Sequence, residues 1–195
     1  LQIPGRQPFV FARHYNSRNR FAGPMGVGWS HSFETRIARV KAGSRDTVQI
    51  VQGDGRRLVF ERGRARPRLW RTTEPAEGVV EGPLVGDDQL VRWIWKRAGG
   101  IQVNFDADGN VIWLARDGDD VLSLQQPFGD PLRSASGSAE GSVRFEYVDH
   151  PKGRRLAAMR HERGSIAWTY DETGQLASSR WPDGSEHRYR YEDPN

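Results

Sequence analysis

The stretch "YDETGQLASSRWPDGSEHRYRYE", residues 170–192, decides the fold of this chain. Tyr170 ends a run of alternating residues, "DETG" makes a turn, Leu176 begins a return strand, and "PDG" turns the chain again toward Tyr191. Side chains that alternate in character are typical of strands, and Asp-Gly pairs are typical of the turns between them. The stretch therefore predicts successive antiparallel hairpins.

The same pattern recurs upstream, in "VRFEYVDHPKGRRLAAMRHERGS" and "IAWTYDETGQLASSRWPDGS". Tyr147, Tyr170 and Tyr191 stand 23 and 21 residues apart, and Phe105 lies two such periods before Tyr147. Fixed spacing of this size is typical of repeat architectures in which one unit is one hairpin.

The remainder of the chain also follows a period of two. Residues 9–15 and 29–37 each predict one strand, and "QGDGRR" predicts a hairpin turn through Asp54-Gly55. No stretch of helical spacing exceeds two turns. The chain is predicted to be all-β, with antiparallel β-hairpin repeats that form a curved sheet.

Two stretches, 72–88 and 127–142, are rich in Pro, Gly, Ser and acidic residues, which is typical of surface loops. The second separates the two halves of the chain. We therefore predict an opening β domain at 1–126, a flexible loop at 127–142 and repeat hairpins at 143–195.

Composition indicates a thin core built from aromatic layers, since only 36% of residues are hydrophobic but seven are Trp and eight are Phe. The net charge is +4, and arginines concentrate in residues 56–71. Acidic residues follow the basic ones closely along the chain, so we predict a solvated face and no nucleic-acid partner.

The chain has no Cys, which excludes disulfides and thiolate metal sites. No apolar run is long enough to span a membrane and no signal peptide is visible. Because the first residue is Leu1 rather than Met, we expect a fragment of a longer protein.

Residues 13–37, "RHYNSRNRFAGPMGVGWSHSFETRI", suggest a phosphate-binding loop at their glycines. Such a loop needs a Lys-Ser/Thr pair and a following helix, and neither is present. The glycines therefore predict a tight connection with positive φ angles. His14 and His31 flank the connection and are predicted to be cross-strand neighbours, without the spacing of metal ligands.

The rest of the sequence shows no pattern typical of a catalytic or calcium-binding site. No Gly-x-Ser-x-Gly elbow is present, and Ser134, Ser136 and Ser138 fall in the predicted loop. "DADGN" and "DGDD" lack the spacing of a calcium loop. We predict no catalytic, cofactor-binding or metal-binding residue, and no enzymatic activity.

Five tryptophans allow two interpretations: Trp93, Trp95, Trp113, Trp168 and Trp181. As exposed rings they would form a platform, and the chain would be a binding module for carbohydrate or a cell-surface protein receptor. At alternating positions of a repeat sheet they would pack between neighbouring hairpins, which we favour.

At the repeats and the opening stretch the sequence resembles the Rhs and YD-repeat proteins. The repeat pattern is carried by Tyr170, Asp171, Gly174, Leu176, Asp183, Gly184 and Tyr191. The opening pattern is carried by Arg13, Tyr15, Asn16, Ser17, Gly26, Gly28, Trp29 and His31. Residues 61–100 and 115–142 match the family only loosely.

The resemblance implies a segment of a hollow β-cocoon shell that encloses and delivers a C-terminal toxin domain, as in bacterial competition. The implied partners are the remaining shell, the enclosed toxin and a delivery-system protein, with self-association through open strand edges. The protein would be made in the cytoplasm and then secreted or delivered by a bacterial secretion system. The family's self-cleaving aspartate centre lies near the far end of the shell, so no catalytic residue carries over, and polar inner-face residues such as arginines would hold the cargo.

Overall fold

The computed structural model describes residues 2–3, 9–20, 22–63, 66–85, 91–117, 119–125, 132–136 and 142–191. These ranges are nearly all β. Their helical turns are three 3-10 segments, at Ser32–Glu34, Pro75–Glu77 and Ala98–Gly100. The strands are, in chain order, β1 (Gln2–Ile3), β2 (Phe9–Val10), β3 (Arg13–Tyr15), β4 (Ala22–Gly23), β5 (Gly26–Val27), β6 (Trp29–His31), β7 (Arg36–Ala42), β8 (Arg45–Val51), β9 (Arg57–Arg62), β10 (Leu69–Arg71), β11 (Val79–Val85), β12 (Val91–Lys96), β13 (Ile101–Phe105), β14 (Val111–Arg116), β15 (Asp119–Gln125), β16 (Ser134–Ser136), β17 (Ser142–Val148), β18 (Arg155–His161), β19 (Gly164–Tyr170), β20 (Leu176–Arg180) and β21 (Glu186–Arg188).

One antiparallel sheet of 15 strands runs from β7 to β21 in unbroken sequence order, and it is not closed. Each strand pairs with its neighbours along the chain, so the sheet is a succession of hairpins, which confirms the all-β prediction. The first six strands form three separate pairs, β1 with β2, β3 with β6 and β4 with β5.

The hairpin turns repeat one hydrogen-bond pattern. In the turn at 106–110, the Asp106 N–H donates to the Asn110 carbonyl at 3.0 Å and the Gly109 N–H donates to the Asp106 carbonyl at 3.2 Å. The turns at 52–56, 171–175 and 181–185 show the same two bonds, each with a glycine at positive φ in the fourth position. The predicted hairpin through Asp54-Gly55 is therefore confirmed.

The tyrosine periodicity corresponds to a repeated side-chain anchor. The hydroxyls of Tyr147, Tyr170 and Tyr191 donate to the carbonyls of Leu132, Leu156 and Leu176 at 2.8, 2.6 and 2.7 Å. Burial raises the pKa of Tyr147 and of Tyr170, so both hydroxyls stay protonated as donors.

Strand pairing shifts register at the same repeat positions. The shifts lie immediately before Phe105, Tyr147 and Tyr170. A bulge of this kind bends its strand and increases the local twist. Its recurrence at these three positions is a local cause of sheet curvature.

The sheet curls until its first strand meets a later turn. The Ile37 N–H of β7 donates to the Gly109 carbonyl at 2.9 Å, and Arg36 forms a β-bridge with Asn110. In a flat sheet, β7 and β13 would lie roughly 30 Å apart, at about 4.8 Å per strand. The contact confirms that the sheet is strongly curved.

One face of the sheet is apolar. Trp70, Val80, Trp95 and Val103 stand directly opposite one another on consecutive strands and are all buried. They belong to a single buried cluster that extends to Phe11 near the N terminus. Tryptophan and valine alternate along this ladder, so aromatic rings contribute to the core as the composition predicts.

Two arginines cover the Trp70 ring at the margin of this face, Arg62 of the Arg-rich stretch and Arg39 of β7. Their guanidinium carbons lie 4.9 and 5.5 Å from the ring, and both pair with Asp46. The expectation that arginines line the inner face of a shell stays a prediction.

Two predicted strands are interrupted. Residues 9–15 form β2 and β3 with a break between them, and residues 29–37 form β6, a 3-10 turn and the start of β7. The turn forms because the Glu34 carboxylate accepts a hydrogen bond from the His31 N–H at 3.0 Å, which caps it. Side-chain alternation alone does not reveal this cap.

The two predicted loops contain strands. Residues 72–88 include a 3-10 turn and β11, because Val80 enters the core between Trp70 and Trp95. Residues 127–142 include β16, which joins β15 to β17, while 126–131 and 137–141 lie outside the described residues. The division at 126 and 142 stays a prediction.

Gly109→Ala tests the contact that curls the sheet. Gly109 and Gly184 share a φ of 84°, but a Cβ at Gly109 would lie 1.9 Å from the Ile37 carbonyl oxygen, whereas one at Gly184 meets nothing within 4 Å. Both alanines bear the strain of positive φ, about 1 kcal/mol. Gly109→Ala should cost at least about 1 kcal/mol more, which lowers Tm by a further 2–4 °C or so in thermal unfolding. Equal Tm losses in the two variants would contradict the contact.

Candidate functional site at the junction of the cap and the repeats

Residues 11–20 and 22–34, which we call the cap, lie against the apolar face of the repeats. Phe11 is 3% exposed, and its ring centroid lies 5.9 Å from Phe33, 6.0 Å from Phe145 and 5.8 Å from Trp168. Phe145 belongs to β17 and Trp168 to β19. Aromatic packing therefore fixes the cap to two repeat strands.

Arg13 sits in a cage of aromatic rings. Its guanidinium carbon lies 5.7 Å from the Trp29 ring, 6.0 Å from Trp168, 5.9 Å from Trp181 and 5.7 Å from Tyr189. Its Nη1 atom is buried and has no hydrogen-bond partner among the described residues. Cation–π attraction to cap and repeat rings is the interaction that the geometry offers this guanidinium.

Trp29 connects the cap to the repeat hydrogen bonds. Strand β3 pairs with β6 so that Tyr15 stands opposite Trp29, with ring centroids 5.2 Å apart. The Trp29 Nε1–H donates to the Tyr191 hydroxyl at 2.8 Å, and that hydroxyl donates to the Leu176 carbonyl at 2.7 Å. Two predicted motifs, far apart in sequence, therefore meet in one hydrogen-bond chain.

The glycine-rich part of the cap rests on a repeat turn. The Pro24 carbonyl accepts hydrogen bonds from the Leu156 N–H at 2.7 Å and from the Tyr170 hydroxyl at 3.3 Å. Gly26 has a φ of 94°, and a Cβ on it would lie 2.8 Å from the Gly174 carbonyl oxygen. The predicted positive φ is confirmed, and the glycine also permits close backbone approach.

The remaining cap motif residues shape its turn. The Asn16 N–H donates to the Gly28 carbonyl at 2.9 Å, and the Asn16 side-chain oxygen accepts from the Arg18 N–H at 3.0 Å. Ser17 lies exposed in this turn. These contacts are local to the cap, and they close the connection between β3 and β6.

His31 is buried within the aromatic cluster. It is 2% exposed and stacks on Phe145 with an interplanar angle of 10°, while its Nε2 lies 3.8 Å from the Glu34 carboxylate. Burial lowers the pKa of His31, and the Glu34 charge only partly opposes this. Its cross-strand partner is Arg13, whereas His14 stands opposite Ser30, so the predicted pairing of His14 with His31 is wrong.

The repeat aspartates stabilise their turns. Asp171 accepts hydrogen bonds from the N–H groups of Thr173 and Gln175, both at 2.9 Å. Burial would raise the pKa of Asp171, but these bonds and the Thr173 hydroxyl lower it overall. The Ser185 side chain and N–H likewise lower the pKa of Asp183, in the exposed turn that contains Gly184.

Arg155 is a structural residue that sequence reasoning missed. It is 3% exposed, and its guanidinium donates to four carbonyls, those of Lys152, Gly153, Arg154 and Gly174. It thereby joins the turns of two successive repeats. The sequence shows only that Arg155 directly follows a Gly-containing turn. An exposed arginine at that place would give the same sequence pattern.

Four of the five tryptophans, all except Trp113, pack in or against the core. Trp93, Trp95 and Trp168 are buried, and Trp113 and Trp181 are partly buried.

Across the described ranges, no three His, Cys, Asp or Glu side chains are close enough to hold a metal ion. No helix in the described part of the chain could span a membrane.

Residues 1–60 match a family described as a domain of unknown function, DUF6531. The match covers the cap and the first hairpin, β7–β8, and extends into β9. No curated protein matches the chain.

Tyr170→Phe tests the anchor between the cap and the repeats. The variant leaves the Leu156 carbonyl, and the Pro24 carbonyl beside it, without the hydroxyl donor, at a cost of about 1–3 kcal/mol. Denaturant unfolding should show this loss. Tyr15→Phe is the matched control, because Tyr15 is 48% exposed and its hydroxyl has no hydrogen bond in the described structure. A Tyr170→Phe protein as stable as Tyr15→Phe would contradict the anchor.

His31 predicts a pH-dependent stability. Because its folded pKa lies below the unfolded value near 6.5, protonation favours the unfolded chain, and stability is lost as the pH falls below 6.5. Between pH 7 and pH 5, His31→Phe should remove part of this loss, which is at most about 1.4 kcal/mol per pH unit. His187→Phe, at an exposed position, should retain it in urea unfolding at each pH. Identical pH profiles for the two variants would contradict the assignment.

Proposed function

We propose that this chain is the opening segment of a YD-repeat shell of the Rhs type, which encloses and delivers a C-terminal toxin domain and is itself non-catalytic. The observation that carries the proposal is the docking of the cap onto the repeats through the Arg13 cage and the Trp29–Tyr191–Leu176 hydrogen bonds. The cap lies within the DUF6531 match, and it shares one buried core with the hairpins that carry the YD pattern.

The sheet supports a wall-building role. Its 15 strands follow one another without crossovers, so each added hairpin extends the same wall. The last strand, β21, has a partner on one side only among the described strands. A further hairpin, or a second copy of this chain, would pair with that edge. Backbone hydrogen bonds along such a wall leave no gap for a protease loop.

The cap supports a role at the start of the wall. The apolar face of an initial sheet segment would be exposed until the wall closed over it. Phe11, Trp29 and Phe33 cover part of that face with aromatic rings. We propose that the cap nucleates the first turn of the shell, and that secretion and a delivery-system partner act on the completed particle.

Limited proteolysis of the parent protein tests this function. The coding sequence should continue into many more Tyr-Asp hairpins followed by a terminal domain, and that domain should resist protease in the intact protein. Arg13→Glu should open the shell start and expose the terminal domain to cleavage, because it replaces the cation in an aromatic cage with an anion.

Arg163→Glu is the control, since it makes the same charge change in an exposed turn. A parent that ends soon after residue 195 would overturn the proposal, as would a terminal domain that is cleaved equally in all three proteins. A chain that stays monomeric and binds glycans on an array would favour the binding-module alternative.

A further inference from the structure

A cavity of about 520 Å³ lies where the cap meets two turns of the sheet. Its walls come from the cap, from the β8–β9 turn at 52–56 and from the β17–β18 turn at 150–154. The Ser30 hydroxyl donates to the Gly53 carbonyl at 2.5 Å, which fixes the cap to the first of these turns. The volume is within the range of small-molecule sites, which is about 300–1,000 Å³.

The cavity wall is strongly positive. Arg36, Lys152, Arg154 and Arg155 line it, against the single carboxylate of Glu34. That carboxylate already accepts the His31 N–H at 3.0 Å. The Lys152 ammonium makes no ion pair within the described ranges. Cations at close quarters in a partly enclosed site attract an anion.

A hydrogen-bond donor without an acceptor also lies at the cavity. The Nε2 of Gln52, a lining residue, is buried and has no partner among the described residues. A buried donor of this kind costs free energy until it meets an acceptor. The atom has no surface on the cavity in this structure, so the Gln52 side chain would have to rotate to donate to an anionic oxygen there.

The rest of the lining is apolar. The Trp29 and Tyr147 rings, Pro24 and Val51 contribute to the walls. The guanidinium carbon of Arg154 lies 5.6 Å from the centroid of the Tyr147 ring, so a positive charge lies directly beside an apolar surface. Such a lining accommodates a planar apolar body as well as a charged group.

We propose that this cavity is a binding site for a small anionic molecule, a carboxylate or phosphate carried on a flat apolar body. The anion pairs with Lys152 and Arg36, while the apolar body packs against Trp29 and Tyr147. Rotation of the Gln52 side chain would add a hydrogen bond to the anion. The site is independent of the proposed shell function, because all of its residues belong to this chain and none requires an enclosed toxin.

Titration with 2-naphthoate, followed in the ¹H–¹⁵N spectrum of the folded chain, tests the site. Saturable shifts should appear at the Trp29 indole N–H and at the amides of Gly53 and Gly55. The cation 2-naphthylmethylamine has the same ring and should bind at least 10-fold more weakly, because the wall repels it. Inorganic phosphate should shift the same amides without the Trp29 indole.

Lys152→Gln and Arg36→Gln should each weaken 2-naphthoate binding about 2–5-fold, the range for partly exposed charge pairs. Lys41→Gln is the matched control, an exposed lysine outside the cavity. Equal binding of the amine, shifts confined to other parts of the protein, no saturable shift, or unchanged affinity in both Gln variants would each overturn the proposal. None of these results bears on whether the parent protein encloses a toxin.

Discussion

The structure depends on burial of one apolar face of a long single sheet. A sheet with an apolar face needs a second layer, and the described chain supplies no helix and no second sheet of comparable size for it. Two features meet the need. The sheet curls until β7 touches the turn at 106–110, and the cap lies against β17 and β19. The curl and the cap are therefore consequences of one requirement.

Curvature arises from small features that recur along the repeats. A register shift precedes Phe105, Tyr147 and Tyr170, and the hydroxyls of Tyr147 and Tyr170 donate to the carbonyls of Leu132 and Leu156, which precede them in the chain. Each feature is local and modest in free energy. Because a bulge increases the right-handed twist wherever it occurs, the effects at these three positions add along the sheet.

The cap and the repeats are joined by cation–π contacts, hydrogen bonds and aromatic packing. Arg13 is held by four rings, Trp29 donates into the repeat hydrogen bonds, and His31 is kept neutral by burial among aromatic residues. Such groups fix geometry and exclude water. The same docking leaves a positive cavity between the cap and two turns.

The sequence by itself determined the strands, the turns and the repeat, because these follow from nearest neighbours. Alternation, Asp-Gly pairs and the spacing of Tyr147, Tyr170 and Tyr191 act within one hairpin. They do not reveal the 3-10 turn capped by Glu34, or β11 inside a Pro- and Gly-rich stretch, since both depend on contacts elsewhere. The motif residues of the cap and repeats were identified, but not that they meet. Only the tertiary structure decided which strand meets which turn, what surrounds Arg13, and why Arg155 is buried. The first two depend on contacts between residues separated by many strands of a curved sheet, and the third on the stacking of two successive turns.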